Sequence, residues 1–234
     1  MPERLDKLIA GSGAASRSQA KALVRQGRVS VNGVPAASCE VRLDPDADVI
    51  CLDGERLNCS QYRYFMLHKP CGVLSATEDR EQETVLDLLP EGLQRLRLFP
   101  VGRLDKDTSG LLILTNNGQY AHNIISPARH VPKRYLAGLD ARPGEDAVSA
   151  FARGIVLADG LECMPAQLEL LEGENALVTV YEGKYHQVRR MFAAAGFRVL
   201  TLKRLSTGAL ELDPALEPGQ LRELSAEEAQ LVFE

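Results

Sequence analysis

The 234 residues include 45% hydrophobic and 25% charged side chains, with a formal net charge of −5, so there is apolar material for a core and a disordered or fibrous chain is excluded. No apolar run is long enough to cross a bilayer, and the opening MPERLDKLIAGSG lacks the apolar centre of a secretion signal, so a cytoplasmic chain is expected. Cys39, Cys51, Cys59, Cys71 and Cys163 stand without a CxxC pair, which argues against a disulfide framework or a structural zinc site.

The net charge hides an asymmetry. From Met1 to Arg42 seven basic residues stand against three acidic ones, giving +4. From Glu211 to Glu234 one basic residue stands against seven acidic ones, giving −6. A polyanion would feel the local field of the head rather than the total.

RLDKLIAG places Leu5, Leu8 and Ile9 at helical spacing, with Gly11 and Gly13 as a stop. Ser16 is a natural cap for a second helix that buries Ala20, Leu23 and Val24 and ends at Gly27. Arg17, Lys21, Arg25 and Arg28 recur at steps of three or four and can share its outer side. VSVNG alternates like a strand and turns at Asn32-Gly33, and DADVICLDG returns as another. RLDK, SRSQAK and GRVSVNG, in that order and spacing, resemble the S4 RNA-binding domain over Glu3 to Leu52. Arg4, Lys7, Arg17, Lys21, Arg25 and Arg28 are then expected to neutralise phosphates and set position rather than read bases.

The expected organisation is an S4-like domain over 1–53, a polar linker over 54–61 and a catalytic domain over 62–234. In the last, RYFMLHKP reads as a strand ending at Pro70, TVLDLLP as a short helix, and LFPV and LLILT as strands. NNGQYAHNII, EDAVSAFARG and HQVRRMFAAAG read as helices, KRYLAGLD and FRVLTLKRL as strands, and AQLELLE with ALVTVYEG as a hairpin. Helices do not alternate strictly with strands, so an α+β fold is expected, with a largely antiparallel sheet flanked by helices.

Between LFPV and LLILT lies GRLDKDTSG, a polar turn holding Asp105 and Asp107. Local spacing alone favours a structural turn, with Asp107 bonded to the Thr108–Ser109 backbone, and does not choose between the two acids. Three other segments have specialised composition: HKPCG (His68 to Gly72), KRY (Lys133 to Tyr135) and EGKYHQVRRMF (Glu182 to Phe192). With GRLDKDTSGLLILT they resemble the RsuA family of pseudouridine synthases, over nearly the whole chain. Lys184 departs from the arginine common in that pattern, and NNG replaces an acidic residue before the glycine.

The resemblance implies an isomerase that turns a uridine of ribosomal RNA into pseudouridine, without cofactor or metal. It implies 16S RNA in a small-subunit assembly intermediate and uridine 516 as the target, with large-subunit 23S RNA as the alternative; a monomer is expected because the sequence carries no strong interface signal. It assigns Asp105 as the catalytic aspartate, leaving open attack on the base, attack on the sugar, or removal of the ribose 2′ proton. The resemblance further implies that Tyr135 stacks on the extruded uracil and helps move a proton, that Arg189 pairs with Asp105, that Arg103 fills the gap or guides the flipped nucleotide, and that Leu202 packs on the base. Lys69, Lys133 and Arg190 are expected on phosphates. Two other readings compete: a non-catalytic RNA-binding assembly factor, and a hydrolase with paired aspartates. The joint presence of GRLD, KRY and HQVRR disfavours the first. The absence of a metal-ligand spacing or a Ser-His-Asp grouping disfavours the second.

Overall fold

The structure is a computed structural model that describes residues 2–45 and 47–234. Its contacts divide the chain into two units, Met1–Arg63 with Leu89–Leu98, and Tyr64–Leu88 with Phe99–Glu234. In the first unit Leu5–Gly11 is a helix that buries Leu5, Leu8 and Ile9. Ser16 and Gln19 form a reciprocal capping box at the start of the Arg17–Arg25 helix, which buries Ala20 and Val24. Asn32 and Gly33 both take left-handed φ, 51° and 81°, which lets Val29–Val31 turn tightly onto Val34–Pro35. The sheet continues antiparallel through Ile50–Leu52 to Glu55–Arg56.

Two expectations of organisation differ here. Glu55–Arg56 is paired in the head sheet, so residues expected in the linker begin as a strand. Leu89–Leu98 groups with the head rather than with its sequence neighbours. A Cβ on Gly13, which has φ +84°, would come 2.7 Å from the Gly92 carbonyl oxygen, so the backbones meet where no side chain fits.

In the second unit the strands follow the order Gln167–Leu170, Asn175–Val180, Lys133–Leu139, Val199–Thr207, Ser109–Thr115, Tyr64–Lys69, Leu221–Glu223. Every named pairing is antiparallel except that of Val199–Thr207 with Ser109–Thr115, whose register is Lys203 on Ser109 and Arg204 on Gly110. Gly110 is required there: its φ is +108°, and a Cβ would come 2.2 Å from the Arg204 carbonyl oxygen. One core gathers Phe151 and Phe192, from the Glu145–Arg153 and Gln187–Ala194 helices, against Ala137, Val178 and Leu202. Another places Tyr120 and Ile124, from the Gly118–Ile125 helix, against Met66, Leu111 and Ile113.

TVLDLLP is not a helix. Thr84 donates from both its backbone N–H and its hydroxyl to Asp87 Oδ2, at 2.7 and 2.8 Å, and this local turn outcompetes helix bonds. A short helix, Glu91–Gln94, follows Pro90 instead. The acidic C-terminal stretch is folded: Leu221–Glu223 pairs with Tyr64–Lys69, and Arg222 bonds Asp213 and Glu228. Among the described residues no helix is long and apolar enough to cross a membrane.

Candidate active site

The GRLDKDTSG turn is held from below. Lys69, last residue of the Tyr64–Lys69 strand, is fully buried. Its ammonium donates to the carbonyls of Pro70 at 2.9 Å, Thr108 at 3.0 Å and Asp105 at 3.2 Å. Burial pushes its pKa below the ordinary lysine value. The Ser75 hydroxyl donates to the Leu104 carbonyl and accepts from its N–H, and the Gly72 N–H donates to the Lys106 carbonyl at 2.7 Å. The turn's backbone is therefore tied off, and the Asp105 side chain, 27% exposed, lines an open cleft of about 860 Å³.

Arg103, Lys106, Lys133, Lys184 and Arg204 also line the cleft, opposed by Asp105 and Glu182. This excess of cations favours a polyanion at the mouth. Tyr135 stands across the sheet register from Arg204, and both face the cleft. Arg204 is buried and donates from Nε to the Leu111 carbonyl at 2.7 Å. Lys133 is pulled down to about 8, chiefly by burial and further by Arg204. A small recess of about 70 Å³ brings Leu202, Thr108 and Val188 beside Asp105 and Tyr135. Such a site presents an acid and an aromatic ring to a flat polar group carried on a polyanion. Among the described residues no three His, Cys, Asp or Glu side chains gather as metal ligands.

Residues 63–194 match the RNA pseudouridylate synthase family, and residues 3–49 match the S4 domain. The uncharacterized RNA pseudouridine synthase YtzG of Bacillus subtilis (strain 168) is 45% identical, over 99% of this chain and 98% of that protein. The chain belongs to the RNA pseudouridylate synthase family. Ribosomal small subunit pseudouridine synthase A of Escherichia coli (strain K12) is 41% identical, over 96% of this chain and 97% of that protein. A crystal structure of a pseudouridylate synthase superposes with a TM-score of 0.70 at 39% identity, covering 98% of this chain and 99% of that one. The protein is thus an isomerase of the RsuA type that acts on RNA.

Within this synthase the structure brings together Asp105, Arg103, Tyr135, Lys133 and Leu202. It separates others from their expected places. Arg189 does not reach Asp105: its guanidinium sits 2.9 Å from Asp107 Oδ2, and it also bonds the Asp107 and Val199 carbonyls. The side chain that touches Asp105 is His186, whose Nε2 lies 3.5 Å from Oδ1. Asp107 pairs with Arg189, and the turn's Thr108 N–H goes to the Asp105 carbonyl. Lys69 is spent on carbonyls and, with no exposed surface, cannot meet a phosphate. Arg190 is paired with Asp159.

In the head, Arg4 bonds Asp6 and Glu40, Lys7 bonds Glu3, and Arg17 lies 3.7 Å from Asp6. Arg28 lies beyond the helix and grips Asp53. Lys21 and Arg25 are exposed, with no acidic partner among the described residues. Sequence reasoning missed Arg204, although its position two residues after Leu202 on one strand puts both on the same face.

Proposed function

We propose that this synthase isomerises one uridine of small-subunit ribosomal RNA, uridine 516 of 16S RNA, with Asp105 as the reacting acid and no cofactor. The carrying observation is the Asp105 carboxylate, on a turn with tied-off carbonyls, lining a cation-rich cleft. The 41% identity to ribosomal small subunit pseudouridine synthase A across 96% of the chain supports the small-subunit target. The enzyme acts as a cytoplasmic monomer on an assembly intermediate, with the head, 1–53, capturing RNA through Lys21 and Arg25.

The reaction breaks the C1′–N1 bond, turns the uracil, and forms C1′–C5, while the C5 proton is lost and N1 gains one. No electrons are exchanged, so an acid and a shaped pocket suffice. The target must leave its stack, at a cost of a few kcal/mol. In this reading Arg103, exposed at the mouth, guides the extruded nucleotide. Tyr135 stacks on the uracil, Leu202 packs on its edge, and Lys133 attracts a flanking phosphate. Asp105 attacks the base, attacks the sugar, or takes the 2′ proton.

Asp105→Asn is expected to form no pseudouridine on small-subunit RNA while still binding it. Turnover by that variant would remove the mechanism. Chemical mapping of ribosomal RNA from cells lacking the protein should show one site lost in 16S RNA; a loss in 23S RNA instead overturns the assignment of target.

A further inference from the structure

Among the described residues Tyr185 is the most exposed large hydrophobic side chain, at 75%, and it lines the same cleft as Asp105. Its ring is not loose. It lies face to face on the His186 imidazole, with centroids 3.8 Å apart and planes 19° from parallel. His186 is itself fixed at φ 48°, a left-handed conformation sparsely populated outside glycine, at the entry to the Gln187–Ala194 helix. Its Nε2 meets Asp105. One face of the Tyr185 ring is thus covered, and the exposure belongs to the outer face and edges. The imidazole couples that platform to the reacting carboxylate.

We propose that the outer face of Tyr185 stacks an unpaired nucleobase adjacent to the target uridine, so that the enzyme engages two splayed nucleotides rather than one. This inference rests on the reading under Proposed function and deepens it by naming the form of RNA taken. Three features argue for a base as the occupant. A flat, oriented aromatic face at the edge of a cationic cleft is how unpaired bases are held on protein surfaces. Arg103, exposed in the same cleft, offers a positive charge for the adjoining phosphate, whereas the Lys184 ammonium is held by Glu182 and the Glu162 carbonyl. Stacking is tolerant of base identity, so the platform selects single-stranded geometry rather than sequence.

The test uses the full chain and a small-subunit RNA stem-loop carrying the target uridine, with 2-aminopurine placed in turn on either side. Wild type should quench one of the two positions on binding, and Tyr185→Ala should not. Tyr185→Ala should lose roughly 5- to 150-fold in kcat/KM through KM, the range set by one stacked base, and Tyr185→Phe should recover most of it. Unchanged quenching and KM in Tyr185→Ala, with pseudouridine still formed, overturn the platform and leave the activity standing. A defect confined to kcat also overturns it. Absence of pseudouridine formation by wild type overturns the function itself, and this inference with it.

Discussion

Lys69→Met tests whether the reactive turn is held by a buried ammonium. Methionine keeps the length and the apolar stem but removes all the donors. The Pro70, Thr108 and Asp105 carbonyls, bonded at 2.9, 3.0 and 3.2 Å, are left without this partner. Each buried acceptor so orphaned costs about 1–3 kcal/mol, or about 3–9 kcal/mol together. Against this stands relief from burying a charge, which is several kcal/mol. A net loss of about 3 kcal/mol is expected, equivalent to a fall of about 6–12 °C in Tm for a chain of this size. Because the same carbonyls set the position of Asp105, a shift of about 1 Å should slow single-turnover pseudouridine formation about 100-fold. RNA affinity, measured by filter binding, should change little. Weakened affinity with an unchanged rate and Tm would show that Lys69 contacts RNA and that the buried clamp is wrong.

Asp107→Asn removes an exposed partner of Arg189, so stability should change by less than about 1 kcal/mol and single-turnover activity should survive, in contrast to Asp105→Asn. Gly110→Ala forces a Cβ against the Arg204 backbone at a left-handed φ; about 1–3 kcal/mol of backbone strain adds to about 1–3 kcal/mol of overpacking, visible as a lowered Tm. Lys133 holds its proton up to about 8 when folded, against 10.5 ordinarily. The unfolded chain therefore binds more protons between those values, stability should rise with pH across that window, and Lys133→Met should flatten the rise in melting curves. Changing Lys21 and Arg25 together to Ala should lower the slope of log affinity against log salt by about 1 for each phosphate no longer neutralised, whereas Glu3→Gln, which only frees Lys7, should not lower it.

Local patterns are legible in the sequence where near neighbours decide the outcome. The Ser16 cap, the Asn32-Gly33 turn and the burial of Leu5, Leu8 and Ile9 depend on residues within four positions of each other. Family resemblance singles out Asp105, and the structure adds the reason a carboxylate there is held in place. One miss is local, the Thr84–Asp87 turn in TVLDLLP, and the misplaced side chains are partnerships across the fold. Arg189 has a long side chain on a helix facing the turn, and only tertiary geometry decides that it lands on Asp107. Lys69 ends an apolar strand, where a lysine suggests an exposed tip; its burial depends on carbonyls 36 and 39 residues away. Arg28 has the spacing of a fourth member of a basic helix face, but Gly27 breaks the helix, and Asp53 waits 25 residues on. His186 carries no signal of its own in the sequence, because nothing in the linear pattern shows the Asp105 carboxylate beside it.

The excursion of Leu89–Leu98 into the head unit bears on how the two halves can be cut apart. The polypeptide passes between the units three times, after Arg63, after Leu88 and after Leu98, so no single scission separates them. Excising the head residues that precede Tyr64 would remove the Gly13 backbone that meets Gly92 and leave Leu89–Leu98 without the unit it groups with. A truncated protein that precipitates would therefore report on this inserted loop and not on RNA capture, and point substitutions at Lys21 and Arg25 are the cleaner dissection.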